Sequence, residues 1–156
     1  MRPHLPTLIA AVAFPCGAAA LQPVVEVGVG LPELTHVRLG AFVSPRVAAQ
    51  LYVSNVIFNW LTGVSVAGHI LGEARPNGPP RHAVLALGTL AFNPLADPIR
   101  IRGGGETIVA AALLDAGYAL TTDSGFTFHA TVGVIAYVED TLAAGPNFSL
   151  SVGWKF

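Results

Sequence analysis

The sequence predicts an all-β fold, an eight-stranded antiparallel up-and-down β-barrel of the transmembrane kind, and three observations carry that prediction. Large apolar residues recur at every second position through many short segments, as in a strand with one apolar face. Charged residues make up 11% of the 156 residues and hydrophobic ones 53%, against about 25% charged in soluble domains. Mean hydropathy is +0.61, yet beyond Leu21 no apolar run approaches the roughly 18 residues that a membrane helix needs. Such a chain is either poorly soluble or a barrel with an apolar outside. Its length suits one domain.

Residues 1–20 read as a cleavable export signal. Met1-Arg2 supplies a short charged start, an apolar stretch follows from Leu5 to Phe14, and Ala18-Ala19-Ala20 offers the small residues a signal peptidase needs. Pro3, Pro6 and Pro15 argue against a buried helix in this stretch. The mature domain is therefore expected to span residues 21–156. Cys16 is the single cysteine, and Phe14-Pro15 before it is unlike the small residues of a lipoprotein signal. A mature chain without cysteine has neither disulfides nor thiolate metal sites. Formal charge is −1 for the whole chain, with no basic run or stripe, so nothing favours a nucleic-acid partner.

Alternating segments between turn signals fall at residues 24–30, 36–43, 47–58, 63–72, 81–92, 106–120, 126–138 and 147–156. Parity then assigns faces. The first segment points Val25, Val27 and Val29 one way and Glu26 and Gly28 the other. The second sets Val37, Leu39, Ala41 and Val43 against His36, Arg38 and Gly40. The fourth sets Val64, Val66 and Ile70 against Ser65, His69 and Glu73. The seventh sets Phe126, Phe128, Ala130, Val132, Val134, Ala136 and Val138 against Thr127, His129, Thr131, Gly133, Ile135 and Tyr137. In a soluble barrel the apolar rows face inward; in a membrane barrel they face lipid.

The last ten residues are the clearest case. Phe148, Leu150, Val152, Trp154 and the terminal Phe156 alternate with Asn147, Ser149, Ser151, Gly153 and Lys155. An alternating strand that ends on an aromatic residue resembles the C-terminal signal of bacterial outer-membrane barrels. With the export signal, it makes the chain similar to the small OmpA/OmpX/OmpW-type proteins of the Gram-negative outer membrane. The resemblance implies periplasmic termini and contact with outer-membrane lipid and lipopolysaccharide. It also implies recognition of Phe148, Leu150, Val152, Trp154 and Phe156 by the outer-membrane assembly machinery.

That topology makes residues 44–46 and 122–125 short periplasmic turns and residues 93–105 and 139–146 longer outer loops. Residues 73–80, Glu-Ala-Arg-Pro-Asn-Gly-Pro-Pro, are long and proline-rich for a periplasmic turn. Aromatic residues gather at the predicted strand ends: Phe58, Trp60, Phe92 and Phe148 toward the outside, and Tyr118, Phe126, Phe128, Trp154 and Phe156 toward the inside. Two aromatic belts around an aliphatic band are what a bilayer's interfaces favour.

The inward set predicted by parity includes Glu26, His36, Arg38, Gln50, His69, Glu73, Asp115, His129 and Lys155. An eight-stranded barrel is just wide enough for side chains to fill, so these groups are expected to pair as a polar network. Glu26 and Arg38, on neighbouring strands, are the first such pair. His36, His69, His82 and His129 come from separate strands with no short ligand spacing, so neither metal nor cofactor is expected. Some lipid A deacylases of similar architecture use a His-x-Ser pair with an acidic partner. The nearest pattern is His129-Ala130-Thr131 with Asp115, which has Thr for Ser and faces the lumen in mid-strand. The leading functional expectation is a non-enzymatic membrane protein with a structural role or a surface role through its outer loops. A narrow channel for small or hydrophobic solutes comes second and a lipid A-modifying enzyme third.

Overall fold

The computed structural model describes residues 21–56, 59–73, 75–76, 78–95, 108–138 and 141–156. The predicted export signal lies outside this range. Eight strands are present: β1 (Gln22–Leu31), β2 (Glu33–Ser44), β3 (Val47–Val56), β4 (Asn59–Leu71), β5 (His82–Phe92), β6 (Ala110–Thr121), β7 (Phe126–Val138) and β8 (Leu142–Lys155). Each pairs antiparallel with its neighbours in sequence, and β1 pairs with β8, which closes the barrel.

The register sets the bore. Followed from pair to pair around the wall, Glu26 leads through Arg38, Tyr52, Gly63, Ala91, Ala111 and Tyr137 to Ala143. Closure instead pairs Glu26 with Gly153, ten residues further along β8. With strands about 4.8 Å apart and a rise of about 3.4 Å per residue, that stagger tilts the strands by about 40°. It gives a backbone radius of about 8 Å, a bore that side chains fill.

Alternation along the strands divides apolar from polar as parity predicts. Val64 and Val66 are each 53% exposed, while Ser65 between them is 1% exposed. Val25, Val27, Val29, Leu51, Val53, Leu90, Val132 and Val134 stand exposed on the outside, and Glu26, His36, Arg38, Gln50, His69 and His129 are buried within. Trp60, Phe92 and Phe148 are exposed toward the end opposite the chain termini, here the distal end. Tyr118, Trp154 and Phe156 are exposed toward the terminal end. Phe58 lies outside the described residues.

Several boundaries depart from the sequence expectation. β2 starts three residues before the predicted 36, because a bulge between Glu33 and Thr35 carries the pairing on past a break in alternation. β4 starts at Asn59 rather than residue 63. The sixth strand starts at Ala110; Glu106, its predicted start, lies outside the described residues.

The largest change is in β8, which starts at Leu142, so most of the predicted outer loop 139–146 is strand. Gly145 and Pro146 read as loop residues, but they lie where β8 pairs with β7 alone. An edge is where a sheet accepts proline.

The connection between β4 and β5, puzzling in the sequence, crosses the terminal mouth. Pro79 and Pro80 are buried. Gly78 approaches Lys155 and Gln22 on β8 and β1, the opposite side of the barrel. Arg75 and Arg81 both bind Asp123 in the β6–β7 turn. The connection is long because it spans the mouth. Glu73, expected to point into the bore, is instead exposed and outside β4, since the strand ends at Leu71 after a register shift past His69.

Candidate functional site

The bore is the candidate site, and it is layered. Toward the terminal end, Val24, Phe42, Ala48, Ala67, Ala83, Leu85, Leu87 and Ala119 form one apolar cluster. Toward the distal end, Val56, Leu61, Ala91, Ile108, Ala111, Leu113 and Ile135 pack with Tyr52 into a second. Polar side chains sit between, mostly from β7, β8, β1 and β2. These two apolar clusters extend the inward set read from the sequence, whose named members were polar apart from Ile135 and Tyr137. The inward row of β5 runs Ala83, Leu85, Leu87, Thr89 and Ala91, all buried. In the sequence both rows of that strand are apolar but for Thr89 and His82, so parity has little contrast to work with.

Two carboxylates organise the polar layer. Glu26 on β1 lies 3.7 Å from the Arg38 guanidinium on β2 and 3.5 Å from Nδ1 of His129 on β7. Arg38 and Glu26 are direct register partners, so the predicted ion pair is present. Arg38 also lies with its guanidinium carbon 5.7 Å from the centre of the Tyr52 ring, a cation–π contact. His129 reaches on to His69, ring centre to ring centre 5.9 Å.

The second carboxylate is Glu33, at the distal start of β2. The Tyr52 hydroxyl donates to its Oε1. Nδ1 of His36 lies 3.2 Å from its Oε2, in contact but not aligned as a hydrogen bond. Gly28 makes room for that imidazole, since a Cβ at residue 28 would lie 2.3 Å from Nε2 of His36.

Asp115 on β6 accepts a 2.9 Å hydrogen bond from the Asn147 amide on β8. The carboxylate crosses over Gly133 of the intervening β7, where a Cβ would stand 2.2 Å from Oδ1. Asp115 therefore does not orient His129, as the hydrolase pattern required; Glu26 holds that imidazole. Nε2 of His129 and Oγ1 of Thr131 are both buried without a hydrogen-bond partner, so no base–nucleophile pair joins them.

Of the predicted inward set, Glu26, His36, Arg38, Gln50, His69, Asp115 and His129 are all buried in the bore. Lys155 is half-buried at the terminal mouth against Gly78, and Glu73 is outside. His82 is exposed and bonded to Tyr118. Among the described residues no three His, Cys, Asp or Glu side chains gather as a metal site.

Tyr52, Asn147 and Glu33 were missed by the sequence reading. Tyr52 shares parity with Gln50, and Asn147 with Ser149 and Ser151, so both were legible. Glu33 was not, because strict alternation back from His36 places it outside. Phe148, Leu150, Val152, Trp154 and Phe156 form one exposed row on the outer wall, and the Phe156 amide donates to the Pro23 carbonyl at 2.9 Å.

Comparison with protein-family models, with curated proteins and with solved structures finds no match.

Proposed function

We propose that the chain is an integral outer-membrane barrel protein with no enzymatic activity, in contact with outer-membrane lipid and lipopolysaccharide and serving the structure of the envelope. The observation that carries this reading is the outward apolar face on all sides of a barrel whose inner face holds the charges. Exposed apolar patches beyond a few hundred Å² do not persist on soluble monomers. Hydrocarbon is the solvent that face suits, and a closed barrel leaves no backbone edge to satisfy within it.

The termini mark the periplasmic end. The row Phe148, Leu150, Val152, Trp154 and Phe156 then serves as the signal read by the assembly machinery, after export on residues 1–20. A structural role is favoured over a channel by the filled bore, with two apolar clusters and a chain segment across the terminal mouth. A surface role would fall to the connection between β5 and β6, since the β1–β2 turn is the single residue Pro32 and β7 and β8 are joined through 139–141.

The test is fractionation and electrophoresis. The protein is expected in the outer-membrane fraction, resistant to SDS at room temperature and shifted in mobility by boiling. Recovery as soluble periplasmic protein with identical mobility before and after heating overturns the reading.

A further inference from the structure

At the distal end the wall is uneven. β1 ends at Leu31, opposite Phe148, while β8 continues six residues further to Leu142 with β7 as its partner. Among the described residues nothing pairs with the other side of that extension, about 20 Å of strand at the usual rise. The short β1–β2 hairpin beside it, turning at Pro32, leaves a notch in the barrel wall.

Two cavities meet at this notch. One is a groove of about 460 Å³ on the outer wall, running along β8 between the outward rows of β1 and β7, over Val29, Ala130, Val132 and Leu150. The other is a cleft of about 790 Å³ at the distal rim, whose walls include Leu34, Val56, Ile108, Ile135 and Tyr137. Leu31 and Phe148 line both. Leu31, Leu34 and Phe148 belong to the exposed outer face, whereas Val56, Ile108 and Ile135 belong to the buried distal cluster. Leu31 and Phe148 thus join an apolar groove on the outer wall, over the low edge, to a cleft at the top of the bore.

We infer that this notch is a binding site for one hydrocarbon chain of an outer-leaflet lipid, seated along β8 and turned over the rim into the cleft. The inference rests on the membrane reading above, because the groove half of the site opens onto the face assigned to lipid. Three features select a chain over a rigid ligand. The site runs along β8 and on over the rim, it turns at Leu31 and Phe148, and its groove half is lined almost wholly by apolar atoms while the cleft adds the polar groups of Asn59 and Tyr137. The cleft lies within the roughly 300–1,000 Å³ of small-molecule sites. A chain has no hydrogen-bonding group to leave unsatisfied there, so burial alone drives its entry.

Gly145 supplies the variant that tests this. It lines the cleft, and a Cβ placed there has no atom within 4 Å, so a side chain can start from residue 145 without a clash, and Gly145→Trp is chosen to fill the cleft. The folded protein in phosphatidylethanolamine vesicles is labelled by a trace of phospholipid carrying a diazirine at its terminal acyl carbon. Adducts are mapped by mass spectrometry. Label is expected on the inward-facing Val56 and Ile135 as well as on the outer face. In Gly145→Trp, which should keep its heat-dependent mobility, that inward label is expected to fall at least tenfold while label at Val66 and Leu90, on the far side, is unchanged. Wild-type label confined to outward residues, or inward label indifferent to Gly145→Trp, overturns the site while leaving the membrane reading intact. Absence of label at Val66 and Leu90 as well overturns the membrane reading and the site with it.

Discussion

Glu26 and Glu33 are both buried carboxylates in one bore, yet they are neutralised in different ways. Glu26 faces a permanent cation, Arg38, across one strand pair, and His129 takes its other oxygen. Among the described residues Glu33 has no such cation; a tyrosine hydroxyl and an imidazole are its partners. A buried ion pair contributes little net stability, because desolvation of two charges offsets most of their attraction. Breaking such a pair is costly, since the remaining charge stays buried without compensation. A carboxylate held by a neutral donor depends instead on that one hydrogen bond. Charge pairing as such therefore contributes little to the stability of the bore. What each carboxylate needs is a partner it cannot lose.

Arg38 is where the two centres differ most. Arg38→Ala leaves Glu26 without its permanent cation, and the barrel is expected to lose about 3 kcal/mol or more in urea unfolding from detergent or lipid. The double variant Arg38→Met with Glu26→Gln should recover most of that loss, because neither residue then carries a buried charge. A double variant as unstable as Arg38→Ala would show that packing of the long side chain, not the orphaned charge, is what matters.

A smaller effect is expected at the other carboxylate. Tyr52→Phe removes the donor to Glu33 while keeping the ring within the distal cluster. The cost should be roughly 1.5–3 kcal/mol, the range for hydrogen bonds to charged groups, read as a shift in the urea midpoint with unchanged slope. If the shift exceeds that of Arg38→Ala, the ranking of the two centres is reversed.

The smallest effect marks the contrast with the solvent-exposed cluster at the terminal mouth. Asp123 is bound by both Arg75 and Arg81, but its side chain is 63% exposed. Exposed pairs contribute only about 0–1 kcal/mol, so Asp123→Ala should leave the unfolding midpoint nearly unchanged. A loss comparable to that of Tyr52→Phe would mean that the connection across the mouth holds the barrel together rather than merely covering it.

Most of the fold was legible because a strand's period is two and one row had to be uniformly apolar. Eight segments, their faces, the closing C-terminal strand and the Glu26–Arg38 pairing followed from that rule. The same rule misled wherever the contrast between rows vanished or the alternation broke. β5, with two largely apolar rows, concealed an apolar wall inside the bore. The proline and glycine at residues 145–146 looked like loop, because edge status depends on where β1 stops, which β8's own sequence does not record.

Alternation is written in the amino-acid sequence alone, and with it the all-β class, the outward apolar rows and most of the polar side chains of the interior. Tertiary structure alone decided which of those side chains meet. Register around a closed wall places Glu26 beside His129, one hundred and three residues away, and sets Asp115 on Asn147 rather than on that histidine. A single bulge turns Glu33 inward. The mouth-spanning connection and the notch beside β8 likewise arise from where strands stop relative to one another. Alternation is a local property that each strand carries in its own residues. Register, stagger and strand end-points are relations between strands, and they take a value only once the barrel is closed.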